Sequence, residues 1–303
     1  MTGASVDRPG VDLVVQHPAL ADAAVAAFAQ RIGRGPGRRE STLARWPDTT
    51  LTLDEVRALG DTAGVDANLV DPGRRLADFG LLAFDMDSTL ITVECIDELA
   101  HYAGRKAEVA AITEAAMRGE IVDYTESLRR RLAILEGLPA TVLEQVYAER
   151  VRISPGAVEL LAAARAAGLS TLLVSGGFTW FTDRLATVLG IDATRANRLE
   201  IVDGRLTGRL AGSAWGPAGS VASAPAGPIV DAAVKHRTLV ERCAALGLVP
   251  AQAIVCGDGS NDLPMLEAAG LGVAWRAKPI VRRRVGRAID HCGLDSILGW
   301  FGD

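Results

Sequence analysis

From residue 79 onward, short apolar runs ending in small polar residues alternate with amphipathic helical stretches, and this alternation narrows the possible folds sharply. The runs are Gly80–Phe84, Ser170–Val174, Ala253–Cys256 and Leu271–Trp275; helical segments such as Ala157–Ala167, Thr179–Leu189 and Lys235–Leu246 lie between them. A strand that is apolar at every position is buried on both faces, and buried strands alternating with helices build a parallel sheet. Gly168 and Gly270 sit where helix C-caps belong. The rhythm breaks over residues 94–150, where Ile96–Tyr102, Ala107–Arg118, Tyr124–Leu135 and Thr141–Arg150 read as helices with no strand between them. A helical block after the first strand is an insertion at a strand's carboxyl end, where open α/β sheets bind ligands and where an insertion can act as a lid.

Residues 1–75 read as a small α+β appendage: a strand at Val11–Gln16, a helix at Pro18–Ile32, a strand at Thr49–Leu53 and a second helix at Leu53–Leu69. The segment Asp71–Arg75 carries turn signals and charge, as a linker does. The predicted architecture is α/β: a Rossmann-like parallel sheet core over 76–93 and 151–303, an inserted helical cap over 94–150, and the amino-terminal appendage, whose role, regulatory or structural, stays open.

Composition excludes several classes. With 49% apolar and 23% charged residues, the 303-residue chain is neither mostly disordered nor collagen-like. A net charge of −5 gives no electrostatic case for nucleic acid. Cys95, Cys243, Cys256 and Cys292 are scattered without a CxxC, which argues against a zinc cluster or a disulfide framework and suits a reducing compartment. The longest uncharged run, Leu210–Val230, holds Pro217, Pro225 and Pro228 among glycines and reads as a loop, not a membrane span. No signal peptide is evident, so the expected location is the cytoplasm.

Three strand ends carry chemistry. Asp85-Met86-Asp87 follows the first run, and two carboxylates there are costly unless paired or metal-bound. Such a pair can divide the work of nucleophile and general acid/base. Ser175-Gly176-Gly177 follows the second run and offers a hydroxyl and free N–H groups to phosphate oxygens. Gly257-Asp258-Gly259-Ser260-Asn261-Asp262 follows the third and supplies carboxylates of the kind Mg²⁺ prefers. Taken singly, each is as well read as a helix cap, and Lys235 as a solvated surface charge. Parallel strands gather such ends along one sheet edge, and the combined set describes phosphoryl transfer through an aspartyl-phosphate.

With these motifs, the chain resembles the haloacid-dehalogenase-like phosphatases, and within them the phosphoserine phosphatase group, from about Leu76 to Leu298. The resemblance also rests on Glu94–Glu98, Ile112–Gly119, Ser127–Arg131, Arg195-Ala196-Asn197 and Ile229-Val230-Asp231 with Lys235. It implies a Mg²⁺-dependent hydrolysis of O-phosphoserine, the last step of serine biosynthesis. Asp85 is then the nucleophile and a metal ligand, Asp87 the acid/base with its carbonyl on the metal, and Asp258 the remaining protein ligand. Ser175, the Gly176 backbone and Lys235 hold the phosphoryl oxygens; Asn261 orients the substrate and Asp262 supports the site. In the cap, Glu94 faces the substrate amine, Arg131 its carboxylate, and Met117 walls the pocket. Arg129 and Arg130 compete with Arg131, which is chosen by its place in the motif. The implied partner is the small-molecule substrate, with no nucleic acid and no membrane; a homodimer stays open.

Two features depart from the family pattern. Leu210–Pro228 is long and rich in Ala, Gly, Ser and Pro, and is expected to be a solvated loop. Residues 1–75 show no clear ligand motif. Alternative functions are a phosphotransferase that passes the phosphoryl to another hydroxyl, such as homoserine, and a non-enzymatic phospho-accepting or amino-acid-sensing regulator. Asp87 argues against the regulator, because an acid/base beside a phosphoaspartate speeds its hydrolysis.

Overall fold

The computed structural model describes residues 10–117, 120–121, 123–217 and 226–302. Near the amino terminus, β1 (Val11–Gln16), β2 (Arg38–Arg39), β3 (Leu43–Thr49) and β4 (Asp66–Val70) form an antiparallel sheet in the order β2-β3-β1-β4, with α1 (Asp22–Ile32) and α2 (Leu53–Ala63). β1 is apolar because both of its faces are covered. Leu13 and Val15 pack with Phe28, Trp46 and Val56, whereas Val14 joins the core of the rest of the chain.

Three expectations here need correction. Thr49–Leu53 is not a strand: β3 ends at Thr49, and Thr52 caps α2 through a reciprocal pair with Glu55. The second helix does not reach Leu69. It ends at Gly64 in the left-handed conformation, and Asp66–Val70 alternates buried and half-buried residues as β4. The first helix begins at Asp22, not Pro18.

The main sheet has the order β11-β10-β9-β5-β6-β7-β8. Its strands are β5 (Leu81–Phe84), β6 (Ser170–Phe178), β7 (Ala193–Val202), β8 (Arg205–Pro217), β9 (Ala253–Gly257), β10 (Leu271–Trp275) and β11 (Ala288–Ile289). All neighbours are parallel except β7 and β8. The helices α7 (Ala157–Ala166), α8 (Thr179–Leu189), α9 (Ala232–Ala245), α10 (Leu263–Ala268) and α11 (Pro279–Arg284) connect the parallel strands. Leu82 and Phe84 enter one core and Leu81 and Ala83 the other, which is why the run has no polar position. Gly270 does not cap a helix by a left-handed turn. It is needed for close approach, since a Cβ there would lie 1.8 Å from the Ala251 carbonyl oxygen.

Residues 94–150 form α3 (Cys95–Tyr102), α4 (Lys106–Met117), α5 (Tyr124–Ala133) and α6 (Val142–Glu149). The expected loop from Leu210 to Pro228 is largely wrong over its described part: residues to Pro217 belong to β8, paired along β7. Asp203 and Gly204, with φ of 49° and 71°, make a two-residue turn of the kind that joins hairpin strands. The small residues of β8 hide its alternation. Residues 218–225 of the expected loop lie outside the described residues. Beyond the turn, the hairpin grips the insertion: Gly137 N–H donates to Leu206 O at 2.8 Å, Leu206 N–H to Leu138 O at 2.9 Å and Ala140 N–H to Gly204 O at 2.8 Å.

The amino-terminal sheet is keyed to the carboxyl-terminal segment by polar groups. Asn68 exchanges two hydrogen bonds with the backbone of Ala288, at 2.9 and 2.8 Å. The buried Asp66 carboxylate accepts from the N–H groups of Asp290, His291 and Cys292. Asp66→Ala strands these donors and is expected to lower the unfolding free energy by about 1–3 kcal/mol. A urea titration reads the loss, while kcat stays within about twofold because the site lies at other strand ends.

Candidate active site

The site is built where β5, β6 and β9 end. After Phe84 the chain turns tightly: Leu90 N–H donates to Asp85 O and Ile91 N–H to Met86 O. Ser88 adopts a left-handed φ of 56°, an uncommon conformation for a residue with a Cβ. This turn is held by the Ser88 hydroxyl, which donates to Glu94 Oε1 at 2.8 Å, and by Cys95 N–H, which donates to Asp87 Oδ1 at 3.0 Å. The end of β5 is thereby tied directly to the start of α3.

At the end of β6, Gly177 N–H donates to Ser175 Oγ at 2.8 Å. Glycine at 177 leaves room for the acidic pair, because a Cβ there would sit 2.6 Å from Asp87 Oδ2 and displace that carboxylate. At the end of β9, Asp258 Oδ1 accepts from the Thr89 hydroxyl at 3.2 Å, and Asp262 Oδ2 from Gly259 N–H at 3.0 Å. Lys235, on α9, is fully buried, contrary to the bland reading of a solvated lysine. Its Nζ lies 2.6 Å from Asp85 Oδ1 and 2.7 Å from Asp262 Oδ1. Asp85 Oδ1 also takes the Met86 N–H at 2.7 Å.

Burial and the Asp262 charge push the Asp85 carboxyl well above its usual range, and Lys235 opposes them. Burial works against the charge on Lys235, but Asp262 and Asp85 outweigh it and hold the ammonium above the ordinary lysine range. Enclosure and the neighbouring Glu94 raise Asp87 to about 7. Burial and Asp262 raise Asp258 to about 6. One buried ammonium thus faces more carboxylate charge than it can neutralise. Oxygens of Asp85, Asp258 and Asp262 lie within 4.8 Å of one another. Both Asp262 oxygens already have partners, which leaves Asp85 and Asp258 as the better donors. This hard, oxygen-only and electron-rich set fits a divalent cation such as Mg²⁺.

A cavity of about 340 Å³ opens above these groups. Asp85, Asp87, Ser175, Gly176, Asp258 and Asn261 line its floor, and Glu94 and Arg131 belong to its insertion side. Lys235 and Asp262 lie behind Asp85 and do not line it. Of three consecutive arginines, Arg131 lines the cavity; Arg129 and Arg130 are exposed, and Arg130 pairs with Glu126. The Arg131 Nε is buried without a hydrogen-bond partner among the described residues. The Met117 side chain lies outside the described residues.

Among the residues at or beside the site that have no role in the sequence-based assignment are Thr89, Tyr124, Asn197 and Lys278. Lys278 follows β10, so the rule that strand ends form the site would have flagged it. Tyr124 lines the cavity, and burial raises its phenol to about 12, so it is a neutral hydroxyl.

The haloacid dehalogenase-like hydrolase family pattern matches residues 82–267. A phosphoserine phosphatase from a Polaromonas species is 54% identical over 235 residues, which is 78% of this chain and 95% of that protein. The chain belongs to the haloacid dehalogenase-like hydrolases, in their phosphoserine phosphatase branch. It is a phosphatase. Among solved structures, a haloacid dehalogenase family hydrolase from Salmonella enterica superposes with a TM-score of 0.83 at 32% identity, covering 98% of this chain and 99% of that one. A probable phosphoserine phosphatase from Vibrio cholerae gives 0.78 at 33% identity, covering 96% and 87%. Both share the parallel sheet core and span the amino-terminal sheet as well, since so little of this chain is left uncovered. No helix among the described residues is long and apolar enough to cross a membrane.

Lys235→Met removes the ammonium from between two buried carboxylates. Breaking such an arrangement costs about 3–5 kcal/mol. The variant is expected to show that loss in chemical denaturation at low divalent cation, and to recover part of it when Mg²⁺ is added.

Proposed function

We propose that this phosphatase hydrolyses O-phospho-L-serine to L-serine and phosphate, through a phosphoryl group carried on Asp85, with Mg²⁺ as cofactor. The observation that carries this reading is a single cavity lined by Asp85 and Asp87 on one side and by Glu94 and Arg131 on the other. The substrate has a dianionic phosphate, an ammonium and a carboxylate. A carboxylate and a guanidinium whose Nε has no hydrogen-bond partner among the described residues, both on the helical insertion, match the last two. The relatives bearing that substrate in their names support the same choice.

In this reading, Asp85 Oδ2 attacks phosphorus in line with the serine oxygen. The P–O bond to serine breaks, and that oxygen takes the Asp87 proton. Asp87 then removes a proton from water, whose oxygen attacks the acyl-phosphate; the bond to Asp85 breaks and phosphate leaves. Ser175 and the Gly176 N–H donate to the phosphoryl oxygens, Lys235 keeps a positive charge beside them, Asn261 orients the ester, and Asp262 holds Lys235. Mg²⁺, held by Asp85, Asp258 and the Asp87 carbonyl, would neutralise charge on the transferring group. Residues 94–150 act as a cap over residues 76–93 and 151–303, and residues 1–75 are an accessory module. The enzyme completes serine biosynthesis in the cytoplasm, where its four free, buried thiols stay reduced.

Asp85→Asn is expected to abolish turnover, and EDTA to do the same to the wild type until Mg²⁺ is restored. Serine and phosphate should appear in equal amounts with or without added homoserine; a phosphorylated acceptor would replace hydrolysis by transfer.

Arg131→Ala removes a charged hydrogen bond worth about 1.5–3 kcal/mol. At about 1.4 kcal/mol per tenfold, kcat/KM for phosphoserine should fall roughly 10- to 150-fold. Phosphoethanolamine, which lacks the carboxylate, should be nearly unaffected.

Asp87 must carry a proton to act as the acid, so kcat/KM should decline as pH rises through about 7, the value to which enclosure and Glu94 raise it. That limb should be missing from the residual rate of Asp87→Asn.

A further inference from the structure

We propose that Asn197 is a positioning residue that locks the phosphate-binding loop and the helix carrying Lys235 into one register, deepening the function proposed above and resting on its assignment of Ser175, Gly176 and Lys235 to the phosphoryl group. Asn197 is on β7, does not line the cavity and has no solvent exposure. A fully buried amide is costly unless each of its ends is paired. Here the pairs are made with backbone of two separate catalytic segments. Its Nδ2 donates to Gly176 O at 2.8 Å, and its Oδ1 accepts from Val230 N–H at 2.9 Å. One partner is a carbonyl and the other an N–H, so the amide can sit only one way round.

Each bond fixes something in the site. The Gly176 carbonyl belongs to the same peptide plane as the Gly177 N–H. Holding the carbonyl toward Asn197 aims that N–H at Ser175 Oγ, which accepts it at 2.8 Å. With its oxygen occupied in this way, the Ser175 hydroxyl has its own hydrogen free to donate into the cavity. The other bond fixes the entry to α9. Val230 precedes Asp231, whose carboxylate caps that helix by accepting from Val234 N–H at 2.8 Å. Lys235 N–H donates to Asp231 O at 2.9 Å, in the first turn. The same amide therefore sets where the serine hydroxyl points and where the helix presenting the buried ammonium begins.

Positioning of this kind makes a different prediction from general stabilisation. The experiment uses the full chain with Mg²⁺ present and compares wild type, Asn197→Ala and Asn197→Asp. It measures affinity for inorganic phosphate by calorimetry, and kcat and KM for phosphoserine and phosphoethanolamine. Circular dichroism verifies the fold of each variant. In Asn197→Ala, phosphate affinity is expected to fall at least about tenfold and kcat/KM for both esters about 100-fold, as a displacement of about 1 Å can cost. The ratio between the two esters should be unchanged, because Glu94 and Arg131 are untouched. Asn197→Asp is nearly isosteric and keeps the variant set testable if alanine disrupts folding. Its acid form offers an O–H to Gly176 O and an oxygen to Val230 N–H, so its phosphate affinity should approach that of the wild type as pH falls from 8 to 6. Folded variants that bind phosphate as the wild type does would overturn the proposal, as would a loss confined to the phosphoserine ratio. A wild type that binds phosphate but shows no preference for phosphoserine would refute the substrate reading and leave the phosphate measurement to decide on Asn197.

Discussion

The ammonium of Lys235, buried between Asp85 and Asp262, is the interaction on which the rest of the site depends. Burying several charges is unfavourable unless they meet at short distance with their remaining valences hydrogen-bonded. That condition is satisfied from three directions. β5 delivers Asp85, the turn after β9 delivers Asp262 already held by Gly259 N–H, and α9 delivers the cation. Each comes from an element whose register the sheet fixes, so the charges converge without any loop having to order itself on ligand binding. The excess of carboxylate over ammonium also gives a divalent cation a reason to bind.

What the chain displays in one dimension depends on how strongly burial marks it. β5, β6, β9 and β10 were legible because a strand covered on both faces is apolar at nearly every position, and the reactive groups sit just where such a run stops. β7 and β8 were not, because β7 buries polar residues such as Thr194, Arg195 and Asn197 and the small residues of β8 give little contrast between its faces, although Asp203-Gly204 is a strong hairpin turn. In the amino-terminal region Val11–Gln16 is a strand as expected, whereas β4 was read as helix because Gly64 ends a helix whose apolar pattern continues into it. Asp85, Asp87 and Asp258 could be singled out from local spacing. Lys235 and Asn197 could not, since a lysine becomes a buried charge and an asparagine a strut only through partners brought by other strands.

Resemblance supplied the roles of Glu94 and Arg131, which local sequence marks only as surface charges. The structure contributes a physical distinction among Arg129, Arg130 and Arg131. On α5, successive residues are about 100° apart around the axis, so neighbouring arginines cannot share one face. Arg131 lines the cavity while Arg130 lies along the exposed face with Glu126 four residues before it. A buried Nε with no partner among the described residues is unusual for an arginine, and a carboxylate in the cavity would complete its hydrogen bonding.

The insertion is not a flap hung from the sheet by its two ends alone. Its ends cross the core together, with Thr92 N–H donating to Arg152 O and Ser154 N–H to Leu90 O. Its middle is gripped again at Gly137–Ala140 by the tip of the β7–β8 hairpin, and Arg205 reaches the Gly137 carbonyl with a side-chain hydrogen bond of 2.7 Å. The hairpin also packs against α5, close enough that a Cβ at Gly208 would lie 3.1 Å from Ala133 and Glu136. α5 carries Tyr124 and Arg131, so the arginine proposed to read the carboxylate is held against the same ladder that carries Asn197 and, through it, the Ser175-Gly176 segment proposed to bind phosphate. In the proposed reading, two recognition groups, Arg131 on α5 and the Ser175-Gly176 segment on β6, are braced against one hairpin, which keeps their separation fixed. Little entropy is then lost in aligning a substrate whose phosphate and carboxylate are a few bonds apart. Glu94 sits instead at the hinge beside Ser88, where the turn after β5 sets its direction. In the proposed reading, discrimination comes from a spacing fixed by the core, and the insertion need only exclude water from it.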